Sequence, residues 1–566
     1  MFVVFEGIDG SGKTTVSNLV AERLRQGGLT VEHLREGGKF SSQVTQSLRE
    51  FGRDVRNIDL VPQAEFFLYV TRDVQLLEEM TRPALGRAEV VIADRFLFSA
   101  EVLARFGRGL PEDFVRPVLK TAARGLEPDL VILVDIDPHI ARARRRVAKV
   151  ITADNRPPSR KGLGGVGMQH RFRAGYKELA ARDPGRWLVV DNDRDLQATV
   201  DLVARVMKTA HTSGVPAALE LARREGPTGV ATAKPLATPA QALDHFLALV
   251  ERRIEREPNT AAYLLSGLFG PGVDERRRRL LPLAPETILA GTAGLTDQVS
   301  FERRERLLDK HPGRIARSLG SLARFHPQSA SLRKRLRAAA PVEVMISLDG
   351  ADDDEAWSLR DQLFASEGNA VIESLGRIGT PRAWQMREAW LSSRGGESAL
   401  ESYENARVLA RSLTGLDDER AWDLRKELRA AAPIAALASI KFLVSDKSWK
   451  WRDRYLDRAP KTVFETLSRI DEPRAWVMRE KKAPLVKEAI DSLNELDGEI
   501  AWRLREQFAD LWPSTVVKTL GRLASTAAGE ALVERLLRTH SENVSLLKHA
   551  AAIALGAHLD PDVGGD

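Results

Sequence analysis

Nine residues near the start of the chain have the types and spacing needed to bind phosphate. The segment Gly7–Thr15, GIDGSGKTT, fits the pattern G-x-x-x-x-G-K-[ST]. In this pattern the glycines let backbone N–H groups turn toward phosphate oxygens, the Lys13 ammonium reaches the terminal phosphates of a nucleotide, and the Thr14 hydroxyl can ligate Mg²⁺. We therefore predict a site for ATP and Mg²⁺, formed by Gly7, Asp9, Gly10, Ser11, Gly12, Lys13, Thr14 and Thr15.

The residues around this motif predict the elements that such a loop requires. The apolar run Phe2–Phe5 predicts a buried strand before it, and Val16, Val20 and Leu24 lie at helical spacing after it. A helix that begins at the loop also favours bound negative charge at its N-terminus. The alternative is a glycine turn with no ligand, which this strand–loop–helix context disfavours.

An acid followed by a base ends another apolar run. Val90–Ala93 predicts a strand that leads into Asp94 and Arg95. Strand ends of this kind face the ligand crevice of an open α/β sheet. A carboxylate there can hold the metal ion and a guanidinium can bind phosphate, so we predict Thr14 and Asp94 as metal ligands and Lys13, Asp94 and Arg95 as catalytic residues. An exposed ion pair in a turn is the alternative.

Short apolar runs alternate with helical stretches through the first third of the chain, which is typical of βαβ units. We predict an α/β domain of the P-loop NTPase type at residues 1–210, with a parallel five-stranded sheet and flanking helices. Residues 211–241 are rich in Gly, Pro, Ala and Thr and are predicted to be a linker. The predicted strands are Phe2–Phe5, Thr30–Leu34, Val90–Ala93, Leu130–Val134 and Trp187–Val190.

Residues 242–566 contain a helical repeat. A Trp-x-x-Arg motif places arginines 27, 38, 27, 27 and 26 residues apart, and the spacing of 38 indicates an insertion at Ser392–Ser402. A weaker frame extends upstream, so nine units result. Since one helix pair cannot bury its own apolar face, we predict an α-solenoid of HEAT-like units. The arginines are Arg277, Arg304, Arg333, Arg360, Arg387, Arg425, Arg452, Arg479 and Arg505.

The repeated residues allow two interpretations. The tryptophans suit a packed core, and the arginines would then lie on the tryptophans and pair with acids of neighbouring units. A surface for a protein partner is the alternative, and a groove for nucleic acid is possible but less favoured. The aspartates before the helices are expected to be N-caps.

Composition limits the remaining kinds of site. The chain of 566 residues has no cysteine, which excludes disulfides and thiolate metal sites. The first apolar run turns polar at Glu6, too soon for a signal or membrane segment, so we expect a cytoplasmic protein. A net charge of +6 on this length produces no strong field.

The N-terminal third resembles the thymidylate kinases. That resemblance implies that Asp9 contacts the sugar 3′-hydroxyl of the acceptor, Arg35 and Arg95 its phosphate, and Arg72 its base, with Ser99 as a further substrate contact. It also implies a possible homodimer through this domain. The resemblance lies in FEGIDGSGKTT, Arg35–Gly38, Phe66–Arg72, RPALGRAEVVIADR, Gly107–Leu110, EPDLVILVDIDP and the basic run Arg142–Arg146.

The chain departs from the family where the base is recognised. Gly37 stands where the family has proline, and Leu68 replaces the aromatic residue that stacks on thymine. Ala100 and Leu103 replace a polar residue and a tyrosine. Stacking and polar contacts supply discrimination between bases, so we expect thymidylate not to be the exclusive acceptor.

A basic segment rich in Gly and Pro follows the fourth strand and suits a lid that closes on phosphates. A solvated basic helix and loop is the alternative. The predicted lid arginines are Arg142, Arg145, Arg146 and Arg160.

Two functions follow. The first is an ATP-dependent nucleoside monophosphate kinase joined to a helical scaffold for a partner. The second is a nucleotide sensor with little turnover that signals through the repeats. The altered base contacts favour the second, and the intact phosphate motif favours the first.

Overall fold

The computed structural model describes residues 1–35, 42–152, 160, 165–225, 235–320 and 326–556. The chain divides into two compact units. Unit 1 contains Met1–Arg145 and Ser159–Ala233, and unit 2 contains Arg146–Pro158 and Lys234–Asp566.

The sheet of unit 1 has five parallel strands, as the sequence predicts, and their order is β2-β3-β1-β4-β5. Each strand continues one residue beyond its predicted end into a polar or charged side chain, because the backbone there still pairs with its neighbour. The polar ends of the strands therefore gather at one edge of the sheet. The strands are β1 (Phe2–Glu6), β2 (Val31–Arg35), β3 (Val90–Asp94), β4 (Leu130–Asp135) and β5 (Trp187–Asp191).

Helices flank this sheet, and the side chains of Val3, Phe5, Val16 and Val20 are fully buried between sheet and helix. A π-helical turn at Leu77–Thr81 joins two of the helices. The helices are α1 (Lys13–Gln26), α2 (Gln43–Arg53), α3 (Pro62–Leu76), α4 (Arg82–Leu85), α5 (Leu97–Val102), α6 (Glu112–Ala123), α7 (Pro138–Thr152), α8 (Gly165–Arg182), α9 (Leu196–Ser213) and α10 (Val215–Glu225).

Part of the predicted linker is folded, which corrects the boundary at residue 210. Helix α10 packs against α9. Ala218, Leu219 and Ala222 of α10 are buried in the same core as the strands. Unit 1 therefore extends at least through Glu225. The sequence assigned α10 to the linker because the Gly- and Pro-rich composition around it outweighed its short helical pattern.

Unit 2 consists mostly of short helices arranged in pairs, and both helices of one pair form the single kinked element Asp354–Glu373. Many of them begin with proline, whose fixed φ suits the first helical position. The helices are α11 (Pro239–Glu251), α12 (Pro258–Leu264), α13 (Pro271–Leu280), α14 (Pro285–Ala290), α15 (Gln298–Arg306), α16 (Pro312–Ser318), α17 (Pro327–Leu336), α18 (Pro341–Ser347), α19 (Asp354–Glu373), α20 (Pro381–Ser393), α21 (Tyr403–Ser412), α22 (Glu419–Leu428), α23 (Pro433–Ala438), α24 (Asp446–Tyr455), α25 (Pro460–Thr466), α26 (Pro473–Lys482), α27 (Lys487–Asp491), α28 (Glu499–Gln507), α29 (Pro513–Leu520), α30 (Ala527–Thr539) and α31 (Val544–Ala554).

The second helices of successive pairs pack against one another along the array, from α12 and α14 through α29 and α31. Two pairs without the Trp–Arg motif flank the nine predicted units: α11 with α12, and α30 with α31. Helix α11 packs closely along α31, so the first and last helices of the array are in contact. Phe246 and Val250 of α11, and Ala550 and Ala551 of α31, are fully buried.

The repeated arginines are structural, as the repeat around Trp422 illustrates. The Arg425 guanidinium is buried, and its carbon lies 4.7 Å from the centre of the Trp422 ring. It donates to the Ser439 hydroxyl at 2.9 Å and to the Leu413 carbonyl at 2.7 Å. Burial lowers the pKa of Arg425 to about 10. The same contacts with backbone carbonyls and hydroxyls recur at Arg387, Arg452, Arg479 and Arg505.

The expected pairing of these arginines with acids is therefore wrong at those positions. Carbonyl groups at helix C-termini lack partners within the helix, and the buried guanidinium satisfies them. The acids have other roles: Asp417 accepts the Trp422 indole N–H at 2.7 Å, and Asp418 caps α22 by accepting the Ala421 N–H at 2.9 Å. The expectation of aspartate N-caps is confirmed there.

Candidate active site

The phosphate loop connects β1 to α1 at the polar edge of the sheet. Gly7, Gly10 and Gly12 all have positive φ, at 147°, 89° and 89°. A side chain at Gly7 would bring its Cβ to 2.5 Å from the Val134 carbonyl oxygen. Only glycine therefore allows the loop to pass so close to β4. The Asn192 amide donates to the Ser11 carbonyl at 2.6 Å and supports the loop from the end of β5.

Thr14 and Asp94 meet beside this loop. The Thr14 hydroxyl donates to Asp94 Oδ2 at 2.6 Å. Asp94 Oδ1 is buried and has no hydrogen-bond partner among the described residues. A buried carboxylate oxygen without a partner is costly, and hydroxyl and carboxylate oxygens are the ligands that Mg²⁺ prefers. The two predicted metal ligands thus fit a divalent cation.

Arg95 lies at the centre of a buried polar network. Its guanidinium donates to Asp9 Oδ1 at 2.6 Å, to the Ser99 hydroxyl at 2.9 Å and to the Tyr176 hydroxyl at 3.1 Å. Glu6, fully buried at the end of β1, accepts from the Ser99 hydroxyl at 2.8 Å and lies 3.6 Å from the guanidinium. The structure thus brings together three residues predicted to contact substrate.

Protonation within this network follows from burial and the neighbouring charges. Burial disfavours the charge of Arg95, but the Tyr176 hydroxyl and the carboxylates of Asp9 and Glu6 outweigh it, so the pKa of Arg95 is raised. Burial raises the pKa of Glu6, although Arg95 opposes that shift. Arg95 is consequently a fixed cation available to an anionic group.

Sequence reasoning missed Glu6 and Tyr176. An acid at the end of a buried strand, as at Glu6, is a signal that could have been used. Tyr176 lies on α8, far along the chain from Arg95, and no local pattern marks it.

A cavity opens between the ends of β2 and β3 and helix α3. The residues that line it include Arg35, Arg72, Asp94 and Arg95. The cavity therefore brings residues expected to contact the acceptor together with an expected metal ligand. Its other lining residues are mostly apolar: Leu34, Asp73, Leu76, Leu77, Met80, Thr81, Ala93, Phe96 and Leu97.

Of the residues that depart from the family, the three that the structure describes do not line this cavity. Ala100 and Leu103 are buried, 1% and 4% exposed, and neither lines it. Leu68 lines a second, smaller cavity between α2 and α3, together with Tyr69 and Arg72. Gly37 lies outside the described residues.

The predicted lid arginines lie in two places. Arg142, Arg145 and Arg146 are three and four residues apart on α7, which places them on one side of that helix. A Cβ on Gly10 would lie 3.1 Å from Arg145 Cγ, so Arg145 adjoins the phosphate loop.

Arg160 has a different environment. It forms an ion pair with Glu65 of α3 at 2.5 Å and donates to the Leu60 carbonyl at 3.3 Å. Glu65 also accepts from Arg108 at 2.6 Å. The structure therefore places Arg160 against α3 and not with the α7 arginines, and the rest of the Gly- and Pro-rich lid segment lies outside the described residues.

Within the part of the chain that the structure describes, no helix is long and apolar enough to cross a membrane. No group of acids and histidines there has the arrangement of a further metal site.

Comparison with known proteins identifies relatives of the N-terminal unit. The sequence model of the family described as Thymidylate kinase matches residues 5–203. The thymidylate kinase of Trichlorobacter lovleyi is 36% identical over 193 residues, 34% of this chain and 89% of that protein. Those of Nitratidesulfovibrio vulgaris (35% identical; 37% and 93% covered) and Desulforudis audaxviator (38% identical; 34% and 84% covered) are similar in the same way. Through its N-terminal unit, the chain belongs to the thymidylate kinase family.

Proposed function

We propose that unit 1 transfers the γ-phosphoryl group of ATP to a nucleoside monophosphate. An oxygen of the acceptor phosphate bonds to the γ-phosphorus, the bond to the β–γ bridging oxygen breaks, and the products are ADP and a nucleoside diphosphate. The observation that carries this proposal is the position of Asp94, which contacts Thr14 of the phosphate loop and also lines the cavity that contains Arg35 and Arg95. The ATP site and the acceptor site would therefore share Asp94 as a lining residue.

The residues would act in three ways: by stabilising charge, by orienting the acceptor and by holding the metal ion. Lys13 and the arginines of α7 would stabilise negative charge on the transferring group, since such reactions depend mainly on positioning and electrostatics. Arg95, fixed by Asp9 and Ser99, would orient the acceptor phosphate. Mg²⁺ held by Thr14 and Asp94 would neutralise phosphate charge.

The helical array is proposed as a scaffold for a protein partner, and unit 1 as a possible homodimer contact. Phe67 on α3, 46% exposed, forms an edge-to-face pair with Phe114 of α6, so an apolar surface is available on that side of unit 1. Sedimentation of the full chain over a range of concentrations tests the dimer.

A second candidate is a nucleotide sensor with little turnover. The burial of Ala100 and Leu103 away from the cavity favours it, because the polar base contacts of the family are absent there.

One experiment distinguishes the two candidates. The full chain is given ATP, Mg²⁺ and each nucleoside monophosphate in turn, and ADP and the diphosphate product are quantified. We expect turnover with several acceptors and less than about a hundredfold preference for thymidylate, because a mostly apolar pocket discriminates weakly. Nucleotide binding without product would favour the sensor, and a strong preference for thymidylate would contradict the expected loss of base recognition.

A further inference from the structure

The side chain of Arg72 is held on two sides. Its Nε and Nη2 both donate to Asp73 Oδ1, at 2.9 and 2.5 Å. Its guanidinium carbon also lies over the Tyr69 ring, 4.8 Å from the ring centre. Arg72 and Asp73 are 7% and 8% exposed. A side chain that normally samples many conformations is thus held in one position.

Two cavities meet at Arg72. Arg72 lines the acceptor cavity, and it also lines the smaller cavity that contains Tyr69 and Leu68. Tyr69 lines only the smaller cavity, whereas Asp73 lines only the acceptor cavity. Arg72 is therefore the residue that the two cavities share, with Tyr69 beside it in one and Asp73 in the other.

We propose that Tyr69 and Asp73 fix Arg72 as a stacking platform for the base of the acceptor, in place of an aromatic ring. This inference rests on the proposed kinase function and concerns the same site. Leu68 cannot supply a π-face, while a guanidinium plane can stack on a base. Tyr69 supports the plane from behind, and Asp73 prevents its rotation.

The platform determines which acceptors the site takes. Every base has a π-face, so stacking accepts purines and pyrimidines alike. Apart from Thr81, the lining residues that follow the Arg72–Asp73 pair along the chain on this side of the cavity are Leu76, Leu77 and Met80, whose side chains present no strong donors or acceptors to the edge of a base. The substrate class is thus nucleoside monophosphates with little regard to base, and Tyr69 and Asp73 are positioning residues that act through Arg72.

The test compares acceptors with and without a base. KM and kcat are measured with a purine and a pyrimidine deoxynucleoside monophosphate, and with 2-deoxyribose 5-phosphate, for the parent chain and for Tyr69→Leu, Tyr69→Phe and Asp73→Ala. We expect Tyr69→Leu and Asp73→Ala to raise KM for both nucleotides about five- to thirtyfold with little change in kcat. KM for the abasic acceptor should stay unchanged, and Tyr69→Phe, which keeps the ring, should behave like the parent.

Tyr263→Leu, the same substitution in unit 2, is the matched control and should leave every KM unchanged. An equal rise in KM for the nucleotides and the abasic acceptor would overturn the proposal, because Arg72 would then hold the sugar phosphate or merely the fold. Unchanged nucleotide KM in Tyr69→Leu and Asp73→Ala would overturn it too.

Equilibrium binding of the same ligands separates this inference from the proposed function. The parent chain could bind nucleoside monophosphates without transferring phosphate, and Tyr69→Leu and Asp73→Ala could weaken only that binding. This result would contradict the proposed kinase function and support the proposed role of Arg72. If binding does not respond to these variants, the platform fails.

Discussion

Lys13 begins α1 at the end of the phosphate loop, with only 8% of its surface exposed. We expect Lys13→Ala to lower kcat by at least about a hundredfold, because an ammonium aimed at developing charge contributes on that scale. Its cationic head supports no apolar core, so far-UV circular dichroism should be unchanged. Lys120→Ala, at an exposed position on α6, is the control and should retain full turnover. Normal turnover in a folded Lys13→Ala chain would contradict the kinase function.

Asp135 at the end of β4 provides a test of pH dependence. It accepts from Arg173 at 2.6 and 2.8 Å and from Lys177 at 3.1 Å. Burial raises its pKa, but the Arg173 hydrogen bonds and the two positive charges outweigh burial, so the pKa lies below its usual value. A depressed carboxyl pKa adds stability above the ordinary Asp pKa of about 3.9, and this is lost as pH falls through the folded-state value.

Asp135→Asn should therefore lower the free energy of unfolding by about 2 kcal/mol near neutral pH, and the difference from the parent should shrink toward acid pH. Urea unfolding of the full chain at a series of pH values measures it. Asp113→Asn, at an exposed position on α6, is the control. A difference that grows toward acid pH would contradict the assignment.

The residues predicted from sequence are those whose neighbours along the chain define them. Lys13 and Thr14 belong to a contiguous motif, and Asp94 follows a strand, so their placement could be anticipated. The contacts of Tyr176 with Arg95, and of Arg160 with Glu65, join a helix to a residue of a connecting segment far away in the sequence. No spacing rule predicts such pairs, since they depend on how helices and connecting segments pack together in the fold.

Among the elements of unit 2, burial of the repeated tryptophan is uneven. Trp422 is 1% exposed, whereas Trp476 is only partly buried. We expect Trp422→Ala to cost about 3 to 5 kcal/mol through lost burial and a cavity, and Trp476→Ala about 1 to 2 kcal/mol. Urea unfolding of the full chain followed by far-UV circular dichroism compares them. Equal costs would show that stacking on arginine, common to both, outweighs burial.

The repeat could be predicted because its Trp–Arg frame recurs at nearly constant spacing. The helix pairs that flank the repeat could not be predicted, since α11 and α31 lack the Trp–Arg frame and carry alanine and leucine instead. The helix α10 was assigned to the linker for a related reason: local composition outweighed a short helical pattern. In each case the deciding information is which surface the element covers, and that is a tertiary property.

At the scale of the whole molecule, the boundary of unit 1 can be tested by truncation. A fragment of residues 1–225 should fold and be stabilised against heating by ATP with Mg²⁺. A fragment of residues 1–210 lacks α10 and exposes the core that Ala218, Leu219 and Ala222 cover, so it should be less stable by about 3 kcal/mol. Thermal unfolding of both fragments gives the comparison. Equal stability would show that α10 is dispensable and that the boundary at residue 210 was adequate.

The contact between α11 and α31 has a consequence for how this chain can change over evolution. Open repeat arrays gain and lose whole units easily, because each unit touches only its neighbours and the ends are free. Here the two ends cover each other, and their meeting depends on the summed rotation of every unit between them. Duplication or deletion of one unit would move the ends apart and expose both apolar faces. The copy number is therefore fixed by geometry, and the sequence can vary only within units or by insertions such as that at Ser392–Ser402.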